Sequence, residues 1–284
     1  MCMGFGCNAA GVIGCRIIDS PRGKLISIIT NAFVPCNGRF PFLITIAMIF
    51  FAGGLSSGLA SVVSTLAVMV VVLIGIMLTF AISNILSKTI LKGVSSSFIL
   101  ELPPYRKPQI GKILFRSIFD RTLFVLARAI SVAAPAGIVI WILANLQISD
   151  ISLLTYVANF LDPFAKLMGL DGYILTAFIL GFPANEIVLP IILMCYMQTG
   201  VLVDMENTQS IGKILIENGW TWLTAINTMI FTLLHFPCST TTLSIKKESG
   251  SWKWAGVAFI LPTVIGIVFC MMTTFVAHMF AYIT

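Results

Sequence analysis

Apolar positions run along the chain in long blocks separated by short polar or Gly/Pro-rich breaks, without the alternation of a half-buried strand. Residues 40–59 and 62–86 form two such blocks, each of the roughly 20 residues needed to cross a hydrocarbon core. Gly53-Gly54 and Ser56-Ser57-Gly58 lie between them and read as a turn or a small-residue packing surface. A third block spans 129–147, with Trp141 placed as an interfacial anchor. Residues 148–171 are mixed and read as interfacial. The block 172–198 is apolar but interrupted by Gly181, Pro183 and Pro190, and 199–219 is a polar loop. Blocks 220–243 and 254–282 follow, on either side of Lys246, Lys247, Glu248 and Lys253. The predicted fold class is therefore all-α: a polytopic helical membrane protein with broken helices.

Segment 88–128 has a different pattern. Its centre, Glu101-Leu102-Pro103-Pro104-Tyr105-Arg106-Lys107-Pro108, cannot be regular helix, because proline removes a donor and restricts the residue before it. From Gly111 onward Lys112, Arg116 and Asp120 recur every four residues opposite Ile113, Leu114, Ile118 and Phe119, which predicts an amphipathic helix on the membrane surface.

Composition agrees with the membrane reading. Of 284 residues, 58% are hydrophobic and only 10% are charged, with a mean hydropathy of +1.02. About 25% charged is usual in soluble domains. These values exclude a soluble globular enzyme, a disordered segment and a nucleic-acid module. The net charge of +6 is local: Lys88, Lys92, Arg106, Lys107, Lys112, Arg116, Arg121 and Arg128 face only Glu101 and Asp120. That bias marks 88–128 as a cytoplasmic loop. Topology beyond it has two readings. If 172–198 crosses the membrane, Lys246 and Lys247 fall outside; if it re-enters, they fall inside.

Two pairs of motifs recur. Gly4-Phe5-Gly6-Cys7-Asn8 is matched by Gly181-Phe182-Pro183-Ala184-Asn185, and Pro35-Cys36-Asn37 by Pro237-Cys238-Ser239. Paired helix interruptions in two halves point to the midplane site of a repeat-built transporter, where unwound backbone can face an ion. The span preceding the second Gly-Phe motif has no counterpart before the first, so the expectation is a chain truncated at its N-terminus.

These motifs resemble the membrane half of the bacterial ferrous iron transporter B family (FeoB). Gly4-Phe5-Gly6-Cys7-Asn8 is similar to the end of that family's first Gate region. Pro35-Cys36-Asn37-Gly38-Arg39 is similar to its Cys-Ser-Ala-Arg segment. Glu101 to Arg106 matches its Glu-Leu-Pro-Pro-Tyr-Arg loop, and Gly181 to Glu186 its Gly-Phe-x-Ala-Lys-Glu segment. Pro237-Cys238 and Gly250-Ser251-Trp252-Lys253-Trp254 also fit. Asn185 departs from the family's Lys, and Asn37-Gly38 from its Ser-Ala. The resemblance implies Gate-type repeats: 1–40 the end of the first, 41–87 two spans, 88–128 the basic cytoplasmic loop, and 129–284 the second. It implies ferrous iron transport, with Fe(II) as cargo and no tightly bound cofactor. The family's GTPase domain would lie on a missing part or a separate chain. No G-x-x-x-x-G-K-[ST] occurs, since Gly23-Lys24, Gly111-Lys112 and Gly212-Lys213 are each followed by Leu or Ile. Expected partners are membrane lipid, a separate GTPase half or other iron-transport subunits, and a second copy of the chain, with no nucleic acid. The expected location is the inner (cytoplasmic) membrane.

The residues proposed to meet the metal are Cys7, Cys36, Cys238, Glu186, Asn8 and Asn185. Fe(II) accepts thiolate, carboxylate and neutral oxygen, and exchangeable coordination suits passage. Glu186 is the acidic residue deepest in an apolar stretch, which makes it a functional candidate against a purely structural role. A buried cysteine is an inert hydrophobe by default, and Cys2, Cys15, Cys195 and Cys270 keep that reading. Asn8 and Asn185 serve equally well as helix caps. His235 could add an imidazole but reads more simply as a core histidine, and His278 has no partner motif. Arg39 is expected to snorkel to an interface. Gly54-Leu55-Ser56-Ser57-Gly58 matches a hydrolase nucleophile elbow but joins two spans, where no strand-to-helix turn is available. No catalytic residue is assigned. The rival functions are a Gate-type carrier for nucleosides or another solute, and a non-transporting remnant or assembly partner.

Overall fold

The computed structural model describes residues 2–53, 57–89, 123–148, 151–202 and 207–283, with positions 109, 111 and 115 between them. Helices carry the described structure: α1 (Asn8–Gly14), α2 (Pro21–Thr30), α3 (Phe40–Phe51), α4 (Ser57–Lys88), α5 (Phe124–Asn145), α6 (Leu153–Leu167), α7 (Gly172–Leu180), α8 (Val188–Met197), α9 (Thr208–Glu217), α10 (Trp222–Leu234), α11 (Ser239–Ser249) and α12 (Trp252–Ile283). Short 3-10 turns occupy Cys2–Phe5, Asn31–Phe33 and Asn185–Ile187. A two-residue antiparallel pair, Gln147–Ile148 with Ile151–Ser152, joins α5 to α6.

Local chemistry sets many of the boundaries. Ser20 accepts from Gly23 N–H ahead of Pro21, Asp171 accepts from Ile174 N–H at 2.6 Å, and Thr221 caps Thr224. Gly250, at φ +70°, ends α11 in the left-handed conformation that a Cβ would strain.

Among the described residues, two helices, Gly58–Lys88 and Trp252–Phe280, are long and apolar enough to cross a membrane, with mean hydropathies of 2.8 and 2.3. Few of their residues are buried, and Leu66, Leu73, Met77, Phe80, Ile260, Val268 and Phe275 point outward, as lipid-facing side chains do. The sequence reads 40–59 as one full span, but α3 stops at Phe51. Its 12 residues rise only about 18 Å. Likewise 220–243 is interrupted: α10 ends at Leu234, and Pro237 precedes a new helix at Ser239.

Contacts at the helix ends fix the direction of each element. Arg22 donates to the Ser87 carbonyl (2.7 Å), and Arg16 and Lys24 pair with Glu248 (2.5 and 3.9 Å). The starts of α2 and α12 and the ends of α4 and α11 therefore share one end of the molecule. Phe51 packs on Trp222 and Phe50 on Trp220 at the other. Asn145 donates to Gly200 O there, and the Tyr196 hydroxyl donates to Asp171. Both ends of 172–198 thus lie on one side, so this stretch re-enters. Lys246 and Lys247 lie on the same side as Lys88, the second of the two topologies the sequence left open.

The consequence is an inverted repeat. α2 and α3 form one broken crossing; α10 and α11 form another, running the opposite way. α1 leaves the first Gly-Phe break toward the Arg16 end, whereas α8 leaves the second toward the Asp171 end. α4, α5 and α12 pack around these units. α6 bends by 109° into α7. Phe178 fills the centre, edge-on to Phe42 and Phe231.

Candidate functional site

The breaks meet at one depth. A Cβ added to Gly75, near the middle of α4, would come within 2.8 Å of the Phe33 carbonyl and 3.0 Å of the Leu233 side chain. One added to Gly266, near the middle of α12, would lie 3.0 Å from Leu234 Cβ. The ends of the Asn31–Phe33 turn and of α10 are therefore level with the midpoints of both long spans. That is where a repeat-built transporter places its site.

The two halves repeat in backbone as well as sequence. Cys7 (φ −153°, ψ 125°) and Ala184 (φ −151°, ψ 120°) hold matching extended conformations just before their helical turns. Asn37 N–H donates to Gly6 O (3.3 Å); its counterpart Ser239 donates from N–H to Phe182 O (2.8 Å) and from its hydroxyl to Pro183 O (3.3 Å). Each Pro-Cys break is thus tied to the Gly-Phe break of its own half.

The residues expected at the metal path are distributed around this junction. Cys36 and Cys238 are half-buried and Cys7 is exposed; all three are free thiols. Cys36 and Cys7 lie within electrostatic reach of Cys238, whose Sγ is 3.2 Å from Thr241 Oγ1. Glu186 is exposed at the tip of the re-entrant stretch, and its carboxylate lies against Gly38, two residues beyond Cys36. Asn8 is buried, and its amide, oriented to satisfy its neighbours, donates to Gly4 O (3.1 Å) and Val34 O (3.2 Å). Asn185 is buried with its side-chain amide 3.3 Å from His235 Nε2, to which the amide nitrogen can donate. Both asparagines bridge breaks of one half. Among the described residues, no three His, Cys, Asp or Glu side chains cluster closely enough to hold a metal ion.

His235 is fully enclosed, with Nδ1 donating to Thr232 O at 2.9 Å, and Phe178, Phe231 and Phe236 surround the ring. It is the satisfied core residue of the simpler reading. Cys15 donates to Gly11 O and Cys270 to Asn227 O. Cys195 lines a cavity of about 210 Å³ with Gln147, Ser152, Thr155 and Gln198, away from the breaks.

Arg39 is where sequence reasoning failed. It does not reach an interface: its side chain has no exposed surface. Nη1 donates to Leu233 O (2.9 Å) and Ala32 O (3.4 Å), and Nη2 to His235 O (3.1 Å) and Phe236 O (3.2 Å). The partners at and just beyond the end of α10 lie 194 to 197 positions away, beyond any local pattern. A signal was available, however: an arginine directly after a midplane break has unsatisfied carbonyls close by. The Glu101–Arg106 motif, the expected surface helix apart from positions 111 and 115, and Ser56 lie outside the described residues. At the Arg16 end, the hydrogen bond from Arg16 holds the Glu248 carboxyl below the usual carboxylate range.

Inverted broken helices that meet at mid-membrane define a multi-pass helical membrane protein. Two family models match: Gate, described as nucleoside recognition, over residues 126–252, and ferrous iron transport protein B C terminus over 68–120. The chain belongs to the ferrous iron transporter B family and corresponds to its C-terminal membrane part. It is 30% identical to the Fe(2+) transporter FeoB of Staphylococcus aureus strain MSSA476, over 99% of this chain and 40% of the relative. To the Methanocaldococcus jannaschii Fe(2+) transporter FeoB it is 27% identical, over 98% and 41%. A Porphyromonas gingivalis fusion of Fe(2+) transport protein A with FeoB is 25% identical, over 91% and 35%. The chain thus spans about 40% of the length of the first of these relatives. No solved structure matches it.

Proposed function

We propose that this chain forms the membrane path of a ferrous iron importer in the cytoplasmic membrane, with its Arg16/Lys88 end inward. The observation that carries the reading is the meeting of two thiol-bearing helix breaks, at Cys36 and Cys238, level with the middle of the long spans. Cys7 and the Glu186 carboxylate flank that junction. Fe(II) takes thiolate and carboxylate ligands, and a few ligands per position let the ion leave as readily as it binds. The metal passes stepwise among Cys7, Cys36, Cys238 and Glu186, with the amide oxygens of Asn8 and Asn185 as neutral partners.

The relatives are named Fe(2+) transporters, and one is fused to Fe(2+) transport protein A. Energy coupling through a GTPase part, and assembly with other iron-transport subunits, belong to the same proposal. The test is radioactive iron uptake into cells that express this chain with a separate GTPase half. Cys36→Ser and Glu186→Gln should each lower the uptake rate about tenfold or more, by loss of one charged ligand. Undiminished uptake in both variants would remove these residues from the path. Nucleoside uptake that is insensitive to thiol reagents would favour the carrier reading suggested by the description of the Gate model.

A further inference from the structure

Four main-chain carbonyls converge on a single buried point between the repeats. Ala32 contributes one from the end of the first break; Leu233, His235 and Phe236 contribute three from the second. The last three lie where α10 ends, so the negative end of its dipole adds to their field. A ring of carbonyl oxygens at mid-membrane is the chemistry of a site for a hard monovalent cation. Here the point is occupied by the guanidinium of Arg39. Among the described residues no carboxylate pairs with it. A guanidinium remains protonated even when buried. Its charge is therefore balanced by the carbonyls themselves, at a depth where an uncompensated charge would be very costly.

We propose that Arg39 is a tethered cation that fills an oxygen cage and keeps Na⁺ and K⁺ out of the mid-membrane junction. The cage is needed because two helices must be broken at this depth, and broken helices expose carbonyls. Left open, those carbonyls would bind or pass hard cations, and the membrane would leak. Arg39 supplies the missing cation from the chain. It also links the halves, since it follows the first Pro-Cys break and fastens the second. Cys36 and Cys238 lie within its electrostatic reach, so the fixed charge also works against any further cation that arrives without anionic ligands. The inference does not depend on iron being the cargo.

The test reconstitutes the full chain in liposomes and follows ²²Na⁺ and ⁸⁶Rb⁺ flux without iron. Arg39→Ala should raise both fluxes by about tenfold or more, because the cage is emptied of its only cation. Millimolar guanidinium should return them to the wild-type level by refilling it. Arg39→Lys, which retains a charge, should leak less than Arg39→Ala. A folded Arg39→Ala protein as tight as wild type, or a leak that guanidinium does not reduce, overturns the proposal. If Arg39→Ala and Arg39→Gln fail to fold, both are prepared with guanidinium, Na⁺ or K⁺ present. Folding restored by these cations supports the cage, and folding restored by none overturns it. Iron uptake, measured separately, is not read in this assay, so failure here leaves the transport proposal intact.

Discussion

Asn227 has no accessible surface, and both polar atoms of its side chain are engaged. Nδ2 donates to Met168 O (2.8 Å) and Thr274 Oγ1 (2.9 Å), and the Thr273 hydroxyl donates to Oδ1. One amide therefore ties α10 to α12 and to the turn where α6 bends into α7. Gly169 in that turn, at φ +66°, allows the approach: a Cβ there would fall 2.4 Å from Nδ2. Asn227→Ala leaves the Met168 carbonyl without its side-chain donor inside an apolar bundle and cuts the link to Thr273 and Thr274, whose hydroxyls fall back on the Cys270 carbonyl of their own helix. The expected loss is about 1–2 kcal/mol, somewhat below the figure for a soluble core because an unfolded chain in the membrane also finds partners. A lower midpoint in thermal or SDS unfolding checks it, with Asn218→Ala, on an exposed turn, as the neutral comparison.

Among the elements, packing around the breaks depends on close approach by two glycines. Gly75→Leu pushes a branched side chain into the Phe33 carbonyl, a backbone atom that cannot rotate away. The expected cost is about 1–3 kcal/mol from overpacking, with displacement of the first break and loss of transport. Gly256→Leu, where nothing lies within 4 Å of the added Cβ, should be tolerated. Size-exclusion profiles and melting of the two variants in detergent make the comparison. The long spans α4 and α12 were legible in the sequence because hydropathy integrates over many residues and needs no partner. The breaks were legible too, since Pro183 and Pro237 announce them and the motif pairs match. The length of α3 was legible only in part: the Gly53-Gly54 and Ser56-Ser57-Gly58 cluster reads as a turn, but hydropathy carries the apolar block on to 59, whereas the helix stops at Phe51. The burial of Arg39 was hidden for a different reason. Three of its four acceptors exist only because a helix almost 200 positions away is broken beside it, and sequence patterns do not register tertiary contacts.

For the molecule as a whole, the distribution of charge gives the orientation. Arg16, Arg22, Lys24, Lys88, Lys246, Lys247 and Lys253 gather at one end with Asp19 and Glu248, and the Lys246 ammonium lies 4.9 Å over the Trp252 ring. The other end holds Lys166 and Lys213 against Asp162, Asp171 and Glu217. Segment 88–128, which carries the net excess of the whole sequence, begins at Lys88, itself at the first end. Basic residues next to spans are retained on the cytoplasmic side, and here the helix ends and the residue from which the basic segment starts agree on which side that is. This agreement requires 172–198 to re-enter, which the hydrogen bond between Tyr196 and Asp171 independently supports. Single cysteines placed at Lys253 and Asn218, with native thiols blocked beforehand, should therefore label in opposite ways. Asn218→Cys should react with a membrane-impermeant maleimide in intact cells. Lys253→Cys should react only in inverted vesicles or after permeabilisation. Labelling of both from the same side would mean that α10 and α11 do not form one broken crossing. The inverted repeat, with the midplane meeting of Cys36 and Cys238 built on it, would then fail as well.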